Sequence, residues 1–170
     1  MSEDEILENI KKEVEKIKED SNYSAKGHFE SAEYWRKWNY ALMSVSIVSV
    51  CASLVFVYHD LDKFWSGLIA ISSGFITMLL IFLNPQEKHF SHYRSGNQFL
   101  SLRNKASIFL EVESKNMNLE QQIESLKKLD SKKNKLNNTS LPISKYGYKS
   151  AKRQIEVDKN TQYQVDKEQK

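Results

Sequence analysis

The chain has 170 residues, 28% of them charged, with 25 Lys and Arg against 22 Asp and Glu, a net charge of +3 and a mean hydropathy of −0.58. That is one domain's worth of chain, and its lone cysteine, Cys51, excludes a disulfide framework. No Walker loop, GxGxxG, GxSxG or HExxH pattern occurs, so the sequence offers no enzyme constellation and implies no cofactor.

In chain order, residues 3–20 read as a Glu- and Lys-rich helix. Leu7, Ile10, Val14 and Ile17 step by 3, 4 and 3, one narrow apolar seam suited to packing on another arm or subunit. DSNYS (20–24) is expected to break this helix, with Ser21 or Ser24 capping the next one. AKGHFESAEYWRKWNYALM then reads as helix running directly into an apolar run, YALMSVSIVSVCASLVFVY (40–58). A second run, FWSGLIAISSGFITMLLIFL (64–83), follows after the five polar residues HDLDK.

The two runs are 19 and 20 residues long and contain no Asp, Glu, Lys, Arg or His. A helix needs roughly 20 apolar residues to cross a bilayer core of about 30 Å, whereas a surface helix of a soluble bundle would carry a polar stripe. The expectation is two transmembrane spans; two buried helices of a soluble bundle are the alternative. So short a link forces an antiparallel hairpin, with both polar arms on one side. Lys26, Arg36 and Lys37 precede the first span and Lys88, Arg94, Arg103 and Lys105 follow the second, against Lys63 alone at the tip. By the positive-inside rule both termini are cytoplasmic. Trp35, Trp38, Tyr40, Tyr58, Phe64 and Trp65 flank the span ends, where amphipathic rings favour the headgroup level. The first run starts too deep for a cleavable signal peptide, and acidic SEDE is the wrong leading segment for one.

Beyond the second span, Pro85 suits a first helical turn, and one helix is expected from about Pro85 to Glu113. Its packed face is read as His89, His92/Tyr93, Gly96, Phe99/Leu100, Arg103, Ala106 and Leu110. Residues 119–136 hold another amphipathic pattern through Leu119, Ile123, Leu126 and Leu129. NNTSLP breaks it, and ISKYGYKSAKRQIEV forms a last short helix before a polar tail. The expected divisions are an N-terminal amphipathic helix (1–20), a two-span core (21–113), an amphipathic helix (114–140) and a basic arm and tail (141–170). The fold class is an all-α membrane protein, expected to be oligomeric.

Residues 1–26 hold eight acidic and five basic side chains, whereas residues 127–170 hold twelve basic and five acidic ones. A solvated basic end near anionic lipid, docking of the acidic helix on the basic arm, and nucleic-acid binding are the three readings. His89 and His92 with Glu87, joined by His28, suggest a metal cluster, yet H-x-x-H lacks the further ligand that a zinc pattern supplies. No metal is therefore expected; these histidines are read as juxtamembrane packing groups or as part of a gate. Gly96 in RSGNQF is read as a point of close helix packing.

In the first span Ser46, Ser49 and Ser53 share a face; in the second, Ser66, Ala70, Ser73 and Thr77 step by 4, 3 and 4, with Gly67 and Gly74 close to that face. Small and hydroxylated residues at such spacing let helices approach and hydrogen-bond. In an oligomer the same face could line a water-filled path, which one hairpin cannot enclose.

The helix AKGHFESAEYWRKWN, two spans with a tiny tip, and then NPQEKHFSHYRSGNQFLSLRNKASIF together resemble the SLATT proteins, two-transmembrane effectors associated with bacterial SMODS and SLOG conflict systems. The resemblance covers about residues 20–113 and rests on His28 with Ala32, the His89-to-Gly96 segment, and Phe99–Leu100. LPISKYGYKSAKRQIEV also looks like the tail of one subfamily, found near reverse-transcriptase as well as nucleotide-signalling genes. The resemblance implies an anti-phage effector of the bacterial inner membrane that assembles with itself in the lipid bilayer. Such an effector opens a pore and kills or arrests the cell. It also implies a separately encoded sensor or nucleotide-generating partner, or a reverse-transcriptase-associated system. The trigger could be oligomerisation, a nucleotide bound between the arms, or release from an inhibitory partner. A membrane-anchored helical scaffold that recruits a cytoplasmic partner is the competing expectation.

Overall fold

The structure is a computed structural model; it describes residues 2–59 and 63–157. The described residues are 91% helical, with no strand among them. Among those residues five helices follow in order: α1 (Glu3–Tyr58), α2 (Lys63–Leu83), α3 (Pro85–Glu111), α4 (Leu119–Thr139) and α5 (Lys145–Glu156), with a 3-10 turn at Glu113–Lys115. Asp60, Leu61 and Asp62 of the expected tip, and the tail beyond Val157, lie outside the described residues.

The chain divides into two compact units, one of residues 32–90 and one of residues 1–31 with 91–170. The first unit is a helical hairpin. Ala32 meets His89, Trp35 meets Lys88 and Ser46 meets Thr77, so one number falls as the other rises and the two arms of the hairpin run antiparallel. Both apolar helices are long enough and apolar enough to cross a membrane. Val48, Val57, Ile71, Ile81 and Phe82 are all more than 60% exposed, which places the large apolar side chains on the outside. Asn84 ends α2 with φ of 41°. The residue before a proline is disfavoured in the right-handed helical region, and Asn is among the residues that tolerate the left-handed one. Its side chain then caps α3, accepting from the Glu87 backbone N–H at 3.4 Å, with Pro85 in the first turn where no N–H is missed.

The second unit is a helical bundle. Ile10, Val14, Ile17 and Ala25 of α1 pack with Phe99, Leu102, Ala106 and Phe109 of α3 and Leu129 and Leu136 of α4. The expected break at DSNYS does not occur: α1 runs unbroken from Glu3 to Tyr58. Ser21 is 1% exposed and continues the buried seam from Ile17 towards Ala25 and His28, so tertiary packing outweighs its capping preference. The packed face of α3 is also shifted by one residue at two positions. Leu102 and Phe109 are buried and Arg103 and Leu110 only half-buried, because His92, Ser95, Phe99, Leu102, Ala106 and Phe109 keep strict 3-4 spacing.

The remaining helices start at well-formed caps. The Asn118 side chain accepts from the Gln121 N–H (2.9 Å) while the Gln121 side chain accepts from the Asn118 N–H (3.1 Å), a capping box on α4. Ser144 Oγ accepts from the Gly147 N–H at 3.0 Å and starts α5. Asp20 of α1 pairs with Lys133 of α4, and Glu30 accepts from Ser150 Oγ (2.7 Å) and from Gln154 of α5. Gly147 is a close approach of α5 to α1: a Cβ there would lie 2.8 Å from the Gly27 carbonyl oxygen. Backbone cannot move aside as a flexible side chain can. Gly147→Ala is therefore expected to destabilise the bundle by about 1–3 kcal/mol, read as a lower denaturant midpoint, whereas Gly67→Ala, which meets nothing within 4 Å, should not lower it.

Candidate functional site

The candidate site is the interior of the hairpin. Leu42, Ser46, Ser49, Ala52, Ser53 and Phe56 are the less exposed residues of the first span, and Ser66, Ile69, Ser73, Ile76, Leu79, Leu80 and Leu83 those of the second. Their 3-4 spacing is that of two helices packed along a shared seam. The two helices are tied across it by Ser46 Oγ and Thr77 Oγ1, 3.1 Å apart. Ser49 and Ser53 donate to the carbonyls of Val45 and Val50 at 2.8 Å, and Thr77 donates to the Ser73 carbonyl at 3.0 Å. These hydroxyls are thus satisfied within the hairpin, as helices in an apolar solvent require.

The structure divides the expected second-span stripe. Ser73 is buried and Ser66 half-buried on the inner face, whereas Ala70, Gly67 and Gly74 lie on the exposed side of α2. A Cβ on either glycine would meet nothing within 4 Å, so their small size is not used for packing within this chain. Thr77 is exposed along its flank while its hydroxyl reaches the seam.

At the end of the hairpin where Ala32 meets His89, aromatic residues cluster. Lys88 Nζ lies 4.3 Å from the Trp35 ring centroid, a cation–π contact, and Tyr34 sits edge-on to Trp35 and Trp38. Arg36 donates to Glu33 at 2.8 Å.

The four candidate juxtamembrane residues fall into three places. His28 and His92 come together from 64 positions apart, with their Nδ1 atoms 3.0 Å from each other. Both are buried, at 2% and 4% exposure, and His28 stacks on Phe99 with ring centroids 5.5 Å apart. One Nδ1 donates and the other accepts, and burial favours the neutral form of both rings, which are then of opposite tautomer. Burial, and secondarily the His92 charge, pushes His28 down to about 4; burial alone lowers His92. His89 does not join them: its Nδ1 bonds the Ala32 carbonyl at 2.9 Å. The H-x-x-H spacing thus does not converge on one point, and no group of three or more His, Cys, Asp or Glu among the described residues is placed to hold a metal ion. Gly96 lies under Phe29, where a Cβ would meet the ring at 2.8 Å.

The sequence singles out His28 and His92 separately, and nothing in it pairs them. The close approach of Gly27 and Gly147 escapes sequence reasoning too, although a helical glycine in each of two otherwise polar segments is the signal that points to it. Comparison of the chain with protein-family models, with curated proteins and with solved structures finds no match.

Proposed function

We propose that this chain is a membrane-spanning effector of a bacterial anti-phage conflict system, of the kind the SLATT resemblance implies. It sits in the inner membrane with both termini cytoplasmic, assembles with copies of itself and opens a path that depolarises the membrane. A sensor or nucleotide-generating protein, or a reverse-transcriptase-associated system, encoded nearby supplies its trigger.

The observation that carries this reading is an apolar exterior around a hydroxyl-bearing interior. Of the most apolar window in each helix, 0% and 6% is buried inside the chain. An exposed apolar surface of that extent is far larger than the few hundred Å² that soluble monomers tolerate, and lipid is the solvent that satisfies it. Ser46, Ser49, Ser53, Ser66 and Ser73 are the polar groups that would meet water if the seam parts in the assembly; in the closed hairpin Ser46 pairs with Thr77 across it. The basic residues Arg36, Lys37 and Lys88 flanking the spans support the orientation.

The test is inducible expression in bacteria with a voltage-sensitive dye, in a Cys51→Ser background carrying single cysteines. Depolarisation and growth arrest are expected. A membrane-impermeant thiol reagent is expected to block the current through Ser46→Cys, Ser73→Cys and Thr77→Cys but not Ile71→Cys or Ile81→Cys, whose side chains face outwards.

A second reading is a membrane-anchored scaffold that recruits a cytoplasmic partner. It is favoured by the bundle of α1, α3 and α4, which has a hydrophobic core of its own. No depolarisation, thiol protection at all inner positions, and retention of a bound partner after exchange of the hairpin would establish it instead.

A further inference from the structure

Two adjoining clefts lie on the face of the bundle formed by α3 and α4. The first, about 350 Å³, is floored by Ile108, Phe109 and Leu129 and rimmed by Lys105 and Lys128. The second is shallow and open, a strip of α4 surface along Lys127, Lys128, Lys132 and Lys135. Lys128 belongs to both. Five lysines therefore converge where the lining supplies two carboxylates, Glu113 and Glu124, and Glu124 is already tied to Lys128 at 2.7 Å.

The lysines meet from different helices. Lys105 of α3 and Lys132 of α4 are direct neighbours, and burial together with the Lys105 charge holds the Lys132 ammonium below the usual lysine range. Elsewhere in the same bundle two cations meet a carboxylate of another helix, Lys133 at Asp20 and Lys18 at Glu111. Asp130, one turn from Lys133 and on the same helix as the cluster, accepts from Asn134 at 3.0 Å instead. Like charges at such range repel unless an anion lies between them. Lys128, Lys132 and Lys135 form a row about 10 Å long at 1.5 Å per residue, the reach of two or three linked phosphates. The groove beside that row has an apolar floor, which a bare phosphate would not use.

We infer that this surface binds an organic polyphosphate, its phosphates held by Lys105, Lys128 and Lys132 and its apolar body seated over Ile108, Phe109 and Leu129. The phosphates come from a soluble metabolite or from anionic lipid headgroups; the chemistry recognised is the same. This site is independent of whether the spans conduct.

The test uses the full chain in nanodiscs of zwitterionic phosphatidylcholine, titrated calorimetrically with ATP, tripolyphosphate and inorganic phosphate. ATP is expected to bind more tightly than tripolyphosphate, and tripolyphosphate more tightly than phosphate, with all three weakened by added salt. Lys105→Gln/Lys132→Gln is expected to weaken ATP binding by about tenfold or more, the scale of a lost charge-assisted hydrogen bond. Its unliganded melting temperature should match or exceed that of the wild type, because repulsion is removed. Lys105→Arg/Lys132→Arg keeps the charge and is expected to keep binding, which separates loss of charge from loss of fold. If the soluble phosphates do not bind but discs containing phosphatidylglycerol raise the melting temperature through the same lysines, the source is the lipid headgroup. Absence of a response to either source, or an ATP affinity unchanged in the Gln variant, overturns the inference.

Discussion

Acidification is expected to strip about 3 kcal/mol from the bundle of α1, α3 and α4 as pH falls from 6.5 to about 4 through His28. The folded chain holds His28 and His92 as buried neutral rings that share one proton between two Nδ1 atoms 3.0 Å apart. Protonation of the accepting ring at Nδ1 places two N–H groups face to face, protonation of the donating ring falls on its Nε2, and either one buries a charge beside Phe99. The unfolded chain has no such penalty and binds the proton near pH 6.5. It therefore takes up more protons than the folded chain throughout that window, and stability is fully present above 6.5 and lost progressively below it. Denaturant unfolding of the full chain in detergent, followed by helical circular dichroism at successive pH values, measures the effect. Carboxylates titrate over part of the same range, so the comparison is with His28→Gln/His92→Gln, which retains a hydrogen-bonding pair and cannot be protonated. That variant is expected to lack this component of the acid loss. An identical pH profile in both proteins would remove the pair from the account.

Truncation of Phe109 is expected to be the most damaging single change in the bundle. Phe109 is 1% exposed and packs where α3 meets α4. Phe→Ala at a buried site costs about 3–5 kcal/mol, from lost transfer energy and from the cavity left behind. Ile108, its neighbour in sequence, is 51% exposed, so Ile108→Ala should cost less than about 1 kcal/mol. The denaturant midpoint and the rate of proteolytic cleavage in α3 and α4 are expected to change strongly for the first variant and little for the second. Because Phe109 also floors the lysine-rimmed groove, its loss should weaken ATP binding even under conditions where the bundle remains folded.

These two effects show where local sequence patterns stop being informative. The heptad pattern favours Leu110 over Phe109 because both lie within one residue of the same position, and only the packing of α4 decides which of them points inwards. His28 and His92 stand out individually, but a contact across 64 positions depends on the register between α1 and α3, which no short window contains. Ser21 misleads for a related reason: serine is a good cap and a poor interior helix residue when considered alone. Here the buried seam on both sides of it carries the helix through.

What the sequence determined by itself is what local physics enforces. Charge-free runs of 19 and 20 residues are long and apolar enough to cross a membrane, and the structure forms them as helices with exposed apolar surfaces. Pro85 after Asn84, the polar break at NNTSLP and the amphipathic periods of α3 and α4 likewise fix helix ends and inner faces within a residue or two. Tertiary structure alone decided the contacts made across distant parts of the chain. It turned Ser66 and Ser73 inwards and left Gly67, Ala70 and Gly74 outside, joined His28 to His92, and laid Gly147 on Gly27. It also gathered Lys105 and Lys132 into one basic surface. Hydropathy and helical period depend on neighbours a few residues away, whereas these meetings depend on how whole helices are rotated and aligned against one another.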